Sequence, residues 1–475
     1  MTAGGNSRRE AIAQAEKYFD EGGYLADLKR RVAIPTESQI PERRDALYTY
    51  LNQEIGPSLA KLGYTFRVID NPVPQYGPFL VAERIEDPGL PTVLTYGHGD
   101  VVRGQEGSWR EGLDPWTIKI EGERWYGRGT ADNKGQHSIN MGALQSIIAA
   151  RGRLGFNSRI LIETGEETGS PGLAEFCRKH ADSLKADVLI GSDGPRLQPE
   201  RPTLFMGTRG VMNFTMSLEL REGAHHSGNW GGLIADPGII LAHAIASITD
   251  ARGQIKVPEW RPTTLNDSVR RALAGLEVEG GADGPAIDRD WGEESLTPAE
   301  RVFGWNSFGV LAFKTGNPER PINAIQPSAQ ATCSLRFVVG IRPEEILPAL
   351  RRHLDAHGFQ QVKIASVRNL TMNATRLDPD HPWAQWAARS MTETAGRPPA
   401  VLPNLGGSLP NDVFADILGL PTLWVPHSYA ACSQHAPDEH LLAPLAREGL
   451  RLMTGLFWDL GDQADRLPRR DSKAA

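Results

Sequence analysis

Cysteine is scarce in this 475-residue chain. Cys177, Cys333 and Cys432 are its three cysteines, odd in number, widely spread and without a CxxC pair. A disulfide frame and a thiolate metal site are thereby excluded as organising principles, and the count fits a reducing compartment. Positive charge is also short: a net charge of -7 argues against nucleic acid or an anionic membrane as the main partner. No apolar run approaches membrane-spanning length. The N-terminal stretch "MTAGGNSRREAIAQAEKYF" has no apolar core of signal-peptide length, so a cytoplasmic protein is expected. Internal repeats and low-complexity tracts are missing as well. What remains is ordinary for a soluble globular protein, 40% hydrophobic and 23% charged residues. The chain is too long for one core, so two domains are expected.

Up to about residue 206 short apolar strands alternate with helical stretches, an α/β pattern. Three strands stand out: "PTVLTYGHGD" (91–100), "RILIETGEE" (159–167) and "ADVLIGSDG" (186–194). Between the first two, "NKGQHSINMGALQSIIAA" spaces Ile139, Ala143, Leu144, Ile147 and Ile148 for a helix. A fourth strand, "PTLWVPHS" (421–428), comes only near the C-terminus. The middle of the chain has another rhythm. Met212, Phe214, Met216, Leu218 and Leu220 alternate with polar residues, as do Ala331, Cys333, Leu335, Phe337 and Val339. Such alternation marks antiparallel sheets with one wet face. A stretch rich in glycine, proline and acid, about 276–300, reads as loop. The expected fold is α/β: a mostly parallel sheet flanked by helices, built from 1–206 and 373–475. A smaller α+β domain, 207–372, is inserted into it.

The early strands end in residues that bind hard or borderline metals. "GHGD" places His98 and Asp100 two apart, on one face of an extended chain. The second strand ends with Glu166 and Glu167, and the third with Asp193. In an open parallel sheet these ends line the crevice where ligands bind. Asp132, in "GRGTADNKGQ", falls just before a helix, and "CSQHAPDEH" supplies His435 beyond the fourth strand. Each has a bland alternative. His98 could be a hydrogen-bonded structural histidine, Asp132 a helix N-cap, and Asp193 a turn residue. His225, His226 and His440 could be plain surface residues. The conjunction is what carries weight: unrelated turns place an acid or imidazole at one edge of one sheet.

In this order "GHGDVV", "GRGTADNKG", "ETGEETGS", "SDGP" and "HAPDE" resemble the dinuclear zinc amidohydrolases and metallopeptidases. That family includes carboxypeptidase G, aminoacylase, succinyl-diaminopimelate desuccinylase and carnosinase. "HHSGNWGG" and "GGSLP" extend the resemblance over nearly the whole chain, closest to the carnosinase and cytosolic dipeptidase branch. The resemblance implies two divalent ions per subunit, zinc first, with manganese or cobalt as alternatives. His98 and Asp193 are expected on one ion, Glu167 and His435 on the other, with Asp132 bridging. Three protein ligands per ion leave a position for a shared water, which the metals make available as hydroxide. Neighbouring side chains at a strand end diverge, so Glu166 is expected off the metal, as general base. Asp100 is expected behind His98, orienting its ring. His226 matches the family histidine that reaches across a homodimer to the oxyanion. Arg336, Asn323, Gly407 and Ser408 are the expected substrate-binding residues, and the inserted domain is expected to act as lid and dimerisation unit. The strands around 211–220 and 331–339 are the expected dimer edges.

Two departures bear on specificity. The carnosinase branch leads one to expect Arg-Glu before Gly-Gly-Ser, where this chain has Asn404 and Leu405, and the segment 323–327 reads "NAIQP". A lost arginine weakens the case for an obligatory substrate carboxylate. The expected activity is metal-dependent hydrolysis of amide bonds in dipeptides or N-acyl amino acids. An N-carbamoyl amino acid or ureido hydrolase and a non-catalytic binding relative are the competing expectations.

Overall fold

The computed structural model describes residues 7–278 and 285–470. The strands of its two larger sheets are, in chain order, β1 (Thr65–Ile69), β2 (Phe79–Arg84), β3 (Thr92–His98), β4 (Asn157–Glu163), β5 (Val188–Gly191), β6 (Thr203–Phe205), β7 (Gly210–Glu219), β8 (Ser307–Lys314), β9 (Ser328–Phe337), β10 (Lys363–Met372), β11 (Ala400–Leu402) and β12 (Thr422–Trp424). Eight of them form one sheet in the order β1-β2-β4-β3-β5-β12-β6-β11. Its centre, β4-β3-β5-β12, is parallel, with antiparallel strands β1 and β2 at one edge.

The central strands are runs of Val, Leu, Ile and Thr buried on both faces, as a covered parallel sheet requires. On one face Val93, Ile160, Ile162, Val188, Ile190 and Leu423 pack in the largest core. That face is covered by the helices α1 (Arg8–Asp20), α2 (Lys134–Arg151), α5 (Pro382–Ala395) and α6 (Ala443–Asp462). Leu94, Tyr96, Leu161, Leu189 and Trp424 point to the other face and a second core. The helix α2 is sandwiched between α1 and α6, which is why it is buried nearly all round. From β3 the chain crosses by α2 to β4 on one side, then returns past β3 to β5 on the other. The C-terminal end of β3 therefore sits at a topological switch point, where a crevice opens.

After β6 the chain leaves this sheet and returns at β11. Between them lies a four-stranded antiparallel sheet, β8-β9-β7-β10. Its dry face packs on α3 (Pro237–Ile248) and α4 (Pro343–Ala356) around Phe214, Met216, Trp260 and Leu335. The alternation in β7 and β9 is the burial pattern of these strands.

Several expectations need correction. The dimer edges were expected at 211–220 and 331–339, yet β7 and β9 are the inner strands, paired on both sides. The free edges belong to β8 and β10. Val339 does not continue the dry face, because β9 stops at Phe337 and Val338 is the buried residue instead. The four strands expected from the sequence are shorter than their segments: β3 ends at His98, β4 at Glu163, β5 at Gly191 and β12 at Trp424. Of the expected loop at 276–300, residues 279–284 lie outside the described residues. The rest is irregular up to a short helix, Pro298–Phe303, closed by a Thr297–Glu300 capping box.

Candidate metal centre

His98, the last residue of β3, is fully buried with acid on both sides of its ring. Nδ1 lies 3.1 Å from the Asp100 carbonyl and 3.4 Å from Asp100 Oδ1. Nε2 faces Asp132 Oδ1 at 3.0 Å and Asp193 Oδ2 at 3.6 Å. Asp132 lies in the turn that enters α2. It is not the helix N-cap: that position is Asn133, and no side chain caps there. The other Asp132 oxygen, Oδ2, is 3.0 Å from His435 Nε2, which is also 3.0 Å from Glu167 Oε2. Asp132 thus joins two half-sets, His98 with Asp193 and His435 with Glu167. Ligand atoms of His98, Asp132 and Glu167 all lie within 4.8 Å of one another.

The acid pair is not at the strand end itself. β4 finishes at Glu163, and Glu166–Thr168 form a single 3₁₀ turn beyond it. The carboxylate of Asp100 accepts the backbone N–H of both Glu166 and Glu167, each at 3.2 Å, and so sets the turn. Glu166, like Asp193 and His435, lies outside the 4.8 Å group; it faces a cavity of about 370 Å³, whose wall it shares with Asp132, Asp193 and His435. Glu163 is buried below, where its Oε1 accepts bonds from Tyr96 Oη at 2.7 Å and Ser170 Oγ at 3.0 Å. The loop that delivers His435 holds Ser433, His435 and Asp438 at left-handed φ values of 57°, 62° and 63°. Non-glycine residues avoid this region unless the surroundings enforce it.

So many acids in one buried place are unstable without positive charge. Burial pushes Glu166 well above the ordinary carboxylate range, and the adjacent Glu167 adds to it. Burial and the Asp132 charge bring Glu167 up to about 7 and Asp193 up to about 6. Hydrogen bonds to Asp132 and Glu167 push His435 up to about 11. Burial works against a charged His98, but its bonds to Asp100 and Asp132 hold it well above the usual range. Burial would also raise Asp132; the two imidazoles outweigh it and hold the group low. Three buried carboxylate oxygens have no hydrogen-bond partner: Glu167 Oε1 and Asp193 Oδ2 in this cluster, and Glu163 Oε2 below it. Imidazole nitrogens and unsatisfied carboxylate oxygens converging from both ends of Asp132 fit divalent ions of the zinc, manganese or cobalt kind.

The expected substrate residues divide. Gly407 and Ser408 line the cavity. Arg336 reaches them, its Nη1 donating to Ser408 Oγ at 3.2 Å. His226 and Asn323 lie elsewhere, exposed, on and beside the two-residue ladder of 225–226 with 324–325, and are not among the described residues lining the cavity. Asn404 and Leu405 part ways as well. Asn404 is buried and bonded to Thr208, Thr375 and Arg376, while Leu405 faces the cavity.

Two supporting residues escaped the sequence reading. Glu439 Oε1 accepts the N–H of Gly129, Ala131 and Asp132 at 3.0, 3.0 and 3.1 Å, and Oε2 takes Arg128 Nη1 at 2.8 Å. The acid beside His440 in "HAPDEH" was its only signal. Arg209 donates Nε to the Gly406 carbonyl at 2.8 Å, bracing the Gly-Gly-Ser loop. His440 itself is buried, 2.5 Å from Tyr429 Oη, and is no surface histidine.

The chain is similar to known proteins along most of its length. Residues 94–459 match the model of peptidase family M20/M25/M40. The Beta-Ala-His dipeptidase of Rattus norvegicus is 26% identical over 94% of this chain and 94% of its own. The cysteinylglycine-S-conjugate dipeptidase of Corynebacterium striatum is 27% identical over 67% of this chain and 70% of its own. Among solved structures, the di-peptidase Dug1p of Saccharomyces cerevisiae superposes with a TM-score of 0.77 at 20% identity, over 96% of this chain and 99% of that one. Human carnosine dipeptidase 1 does so with a TM-score of 0.76 at 23% identity, over 95% and 99%.

Proposed function

This chain belongs to peptidase family M20/M25/M40, and from that premise we propose that it hydrolyses dipeptides or N-acyl amino acids with two divalent ions. His98 and Asp193 would hold one ion, Glu167 and His435 the other, and Asp132 would span both. Zinc suits these donors, and manganese or cobalt shares them. When bound, such ions polarise a carbonyl and lower the pKa of water to about 7.

The remaining work falls to the chain. Glu166, off the ligand group but on the cavity wall, takes the attacking water's proton and returns it to the leaving nitrogen. Burial raises its pKa, which makes the carboxylate a stronger base for that proton. Asp100 acts as a positioning residue: it faces His98 Nδ1 and ties down the Glu166–Glu167 turn. Arg336, Asn323, Gly407 and Ser408 bind the substrate. His226, exposed and away from its own cavity, acts on the oxyanion in the partner of a homodimer. The apolar edge strand β8, with Leu311 60% exposed and Val310 and Phe313 beside it, is the edge offered to that partner. The chain divides into 1–206 with 373–475 as the catalytic unit and 207–372 as lid and dimerisation unit, and works in the cytoplasm.

One observation carries this reading: His98, Asp132 and Glu167 present ligand atoms within 4.8 Å beside unsatisfied carboxylate oxygens. The named dipeptidases among its relatives favour small peptides. The test is metal analysis joined to a hydrolysis screen over dipeptides, N-acyl and N-carbamoyl amino acids, with chelation and metal add-back. Two bound ions and chelator-sensitive hydrolysis of the first two classes are expected. A metal-free protein indifferent to chelators would refute it.

A further inference from the structure

The cavity holding the acid cluster does not continue as a polar channel. Beyond the acids its wall is Leu197, Phe303, Leu402, Leu405 and Leu409, with Gly406, Gly407 and Ser408 between the last two leucines. These apolar residues are not loose. Phe303, Leu402, Leu405 and Leu409 belong to the core on the second face of the large sheet, so the wall is fixed by packing. Leu405 is central to it. A Cβ built on Gly194, the residue after Asp193, would lie 3.1 Å from Leu405 Cδ2, and one on Gly407 would lie 3.7 Å from the same methyl. The Leu405 side chain therefore fills the space between the Asp193 turn and the Gly-Gly-Ser loop. Of the lining side chains able to carry positive charge, His435 belongs to the acid cluster and Arg196 is already matched by Glu448.

We propose that this wall selects the substrate by an apolar side chain of leucine or phenylalanine size next to the scissile amide, with Leu405 as the main specificity-determining residue. The inference rests on the amide-hydrolase reading above. Two physical terms favour it. Burying a Leu- or Phe-sized side chain against this wall gains what a glycine substrate cannot. A charged side chain would lose water against the apolar carbon of this wall. A cavity of about 370 Å³ leaves room for a side chain beside the scissile bond.

The test is kcat/KM for the metal-loaded, full-length protein on two matched series, Xaa-Gly and Gly-Xaa, with Xaa as Gly, Ala, Leu, Phe, Asp or Lys. In one series Leu or Phe should exceed Gly by about 100-fold, and exceed Asp and Lys by at least as much. Leu405→Ala should cut the Leu and Phe rates about 10-fold more than the Gly rate, and Leu405→Met should keep the preference. Hydrolysis that is flat in both series, or highest for Asp or Lys, overturns the inference and leaves the hydrolase standing. No hydrolysis of any member overturns both. If Leu405→Ala fails to fold, the wild-type series still decides.

Discussion

Glu439 touches no expected metal ligand with its side chain except through the backbone, yet its loss should weaken metal binding. Its Oε1 gathers the N–H of Gly129, Ala131 and Asp132, and Oε2 pairs with Arg128, which is 0% exposed. The Asp132 turn is thus strung on one carboxylate, and that carboxylate sits four residues from His435. Glu439→Gln keeps the shape and one acceptor oxygen but removes the charge. Arg128 would be left buried, with two of its nitrogens, Nε and Nη2, already lacking partners. Breaking a buried pair from one side costs about 3–5 kcal/mol. Misplacing Asp132 would also disturb both half-sets at once, and losing a supporting group of this kind weakens metal affinity about 10–100-fold. The assay is chelator competition for metal affinity beside thermal melting of the metal-free protein. The double variant Arg128→Met with Glu439→Gln separates the two effects. It should recover part of the stability, because no orphan charge remains, but not the affinity. Unchanged metal affinity in a destabilised Glu439→Gln protein would refute the reasoning and leave Glu439 a packing element only.

Three further outcomes are expected. Glu166→Gln should keep its metal and lose roughly 100- to 10,000-fold in kcat, whereas Glu167→Gln should lose metal affinity; equal metal loss in both would reverse the assignment. Loading metal near neutral pH should release at least two protons per chain, seen as a buffer-dependent binding enthalpy. The sign follows from His435 at about 11 and His98 well above its usual range: both rings are protonated without metal and must be neutral to ligate. A buffer-independent enthalpy would contradict this. Leu311→Lys on the β8 edge should turn a dimer into monomers by light scattering and lower turnover with it; a wild-type monomer that is fully active would remove His226 from the chemistry.

Much of this site could be read from the chain because its ligands sit next to strong local signals. β3, β4 and β5 are apolar runs long enough to be strands; His98 ends β3, and Glu166, Glu167 and Asp193 come within a few residues of the ends of β4 and β5. The sheet order then does what the parallel pattern leads one to expect. Other parts were hidden for physical reasons. β1, β2, β6 and β11 carry short or mixed patterns that gain their pairing only from neighbours far along the chain. Which strands of the four-stranded sheet are edges depends on pairing, not on alternation, so β7 and β9 looked as free as β8. Glu439 gave no periodic signal, since its partners are backbone amides about 310 residues earlier.

The pair of acids in "ETGEETGS" posed the sharpest local conflict, and Asp100 shows how it is managed. Setting a third carboxylate against two others looks like a worse clash. But Asp100 meets the turn through backbone N–H groups, not through the Glu166 and Glu167 side chains, and it faces His98 Nδ1 with the same group. Its charge is therefore spent on donors, while it aims one imidazole and two carboxylates at their separate places. Buried Glu163 is likewise held from below by Tyr96 and Ser170, leaving the turn above it to face the cavity. Some repulsion remains below the turn, where burial and the Asp100 charge raise Glu163 to about 7; the rest lies between groups aimed at the metal positions, where added positive charge converts it into affinity. Removing Asp100 as Asp100→Asn would keep a carbonyl acceptor but supply an amide facing one of those N–H groups. Both the ring and the turn should then lose their orientation, lowering metal affinity and kcat together rather than either alone.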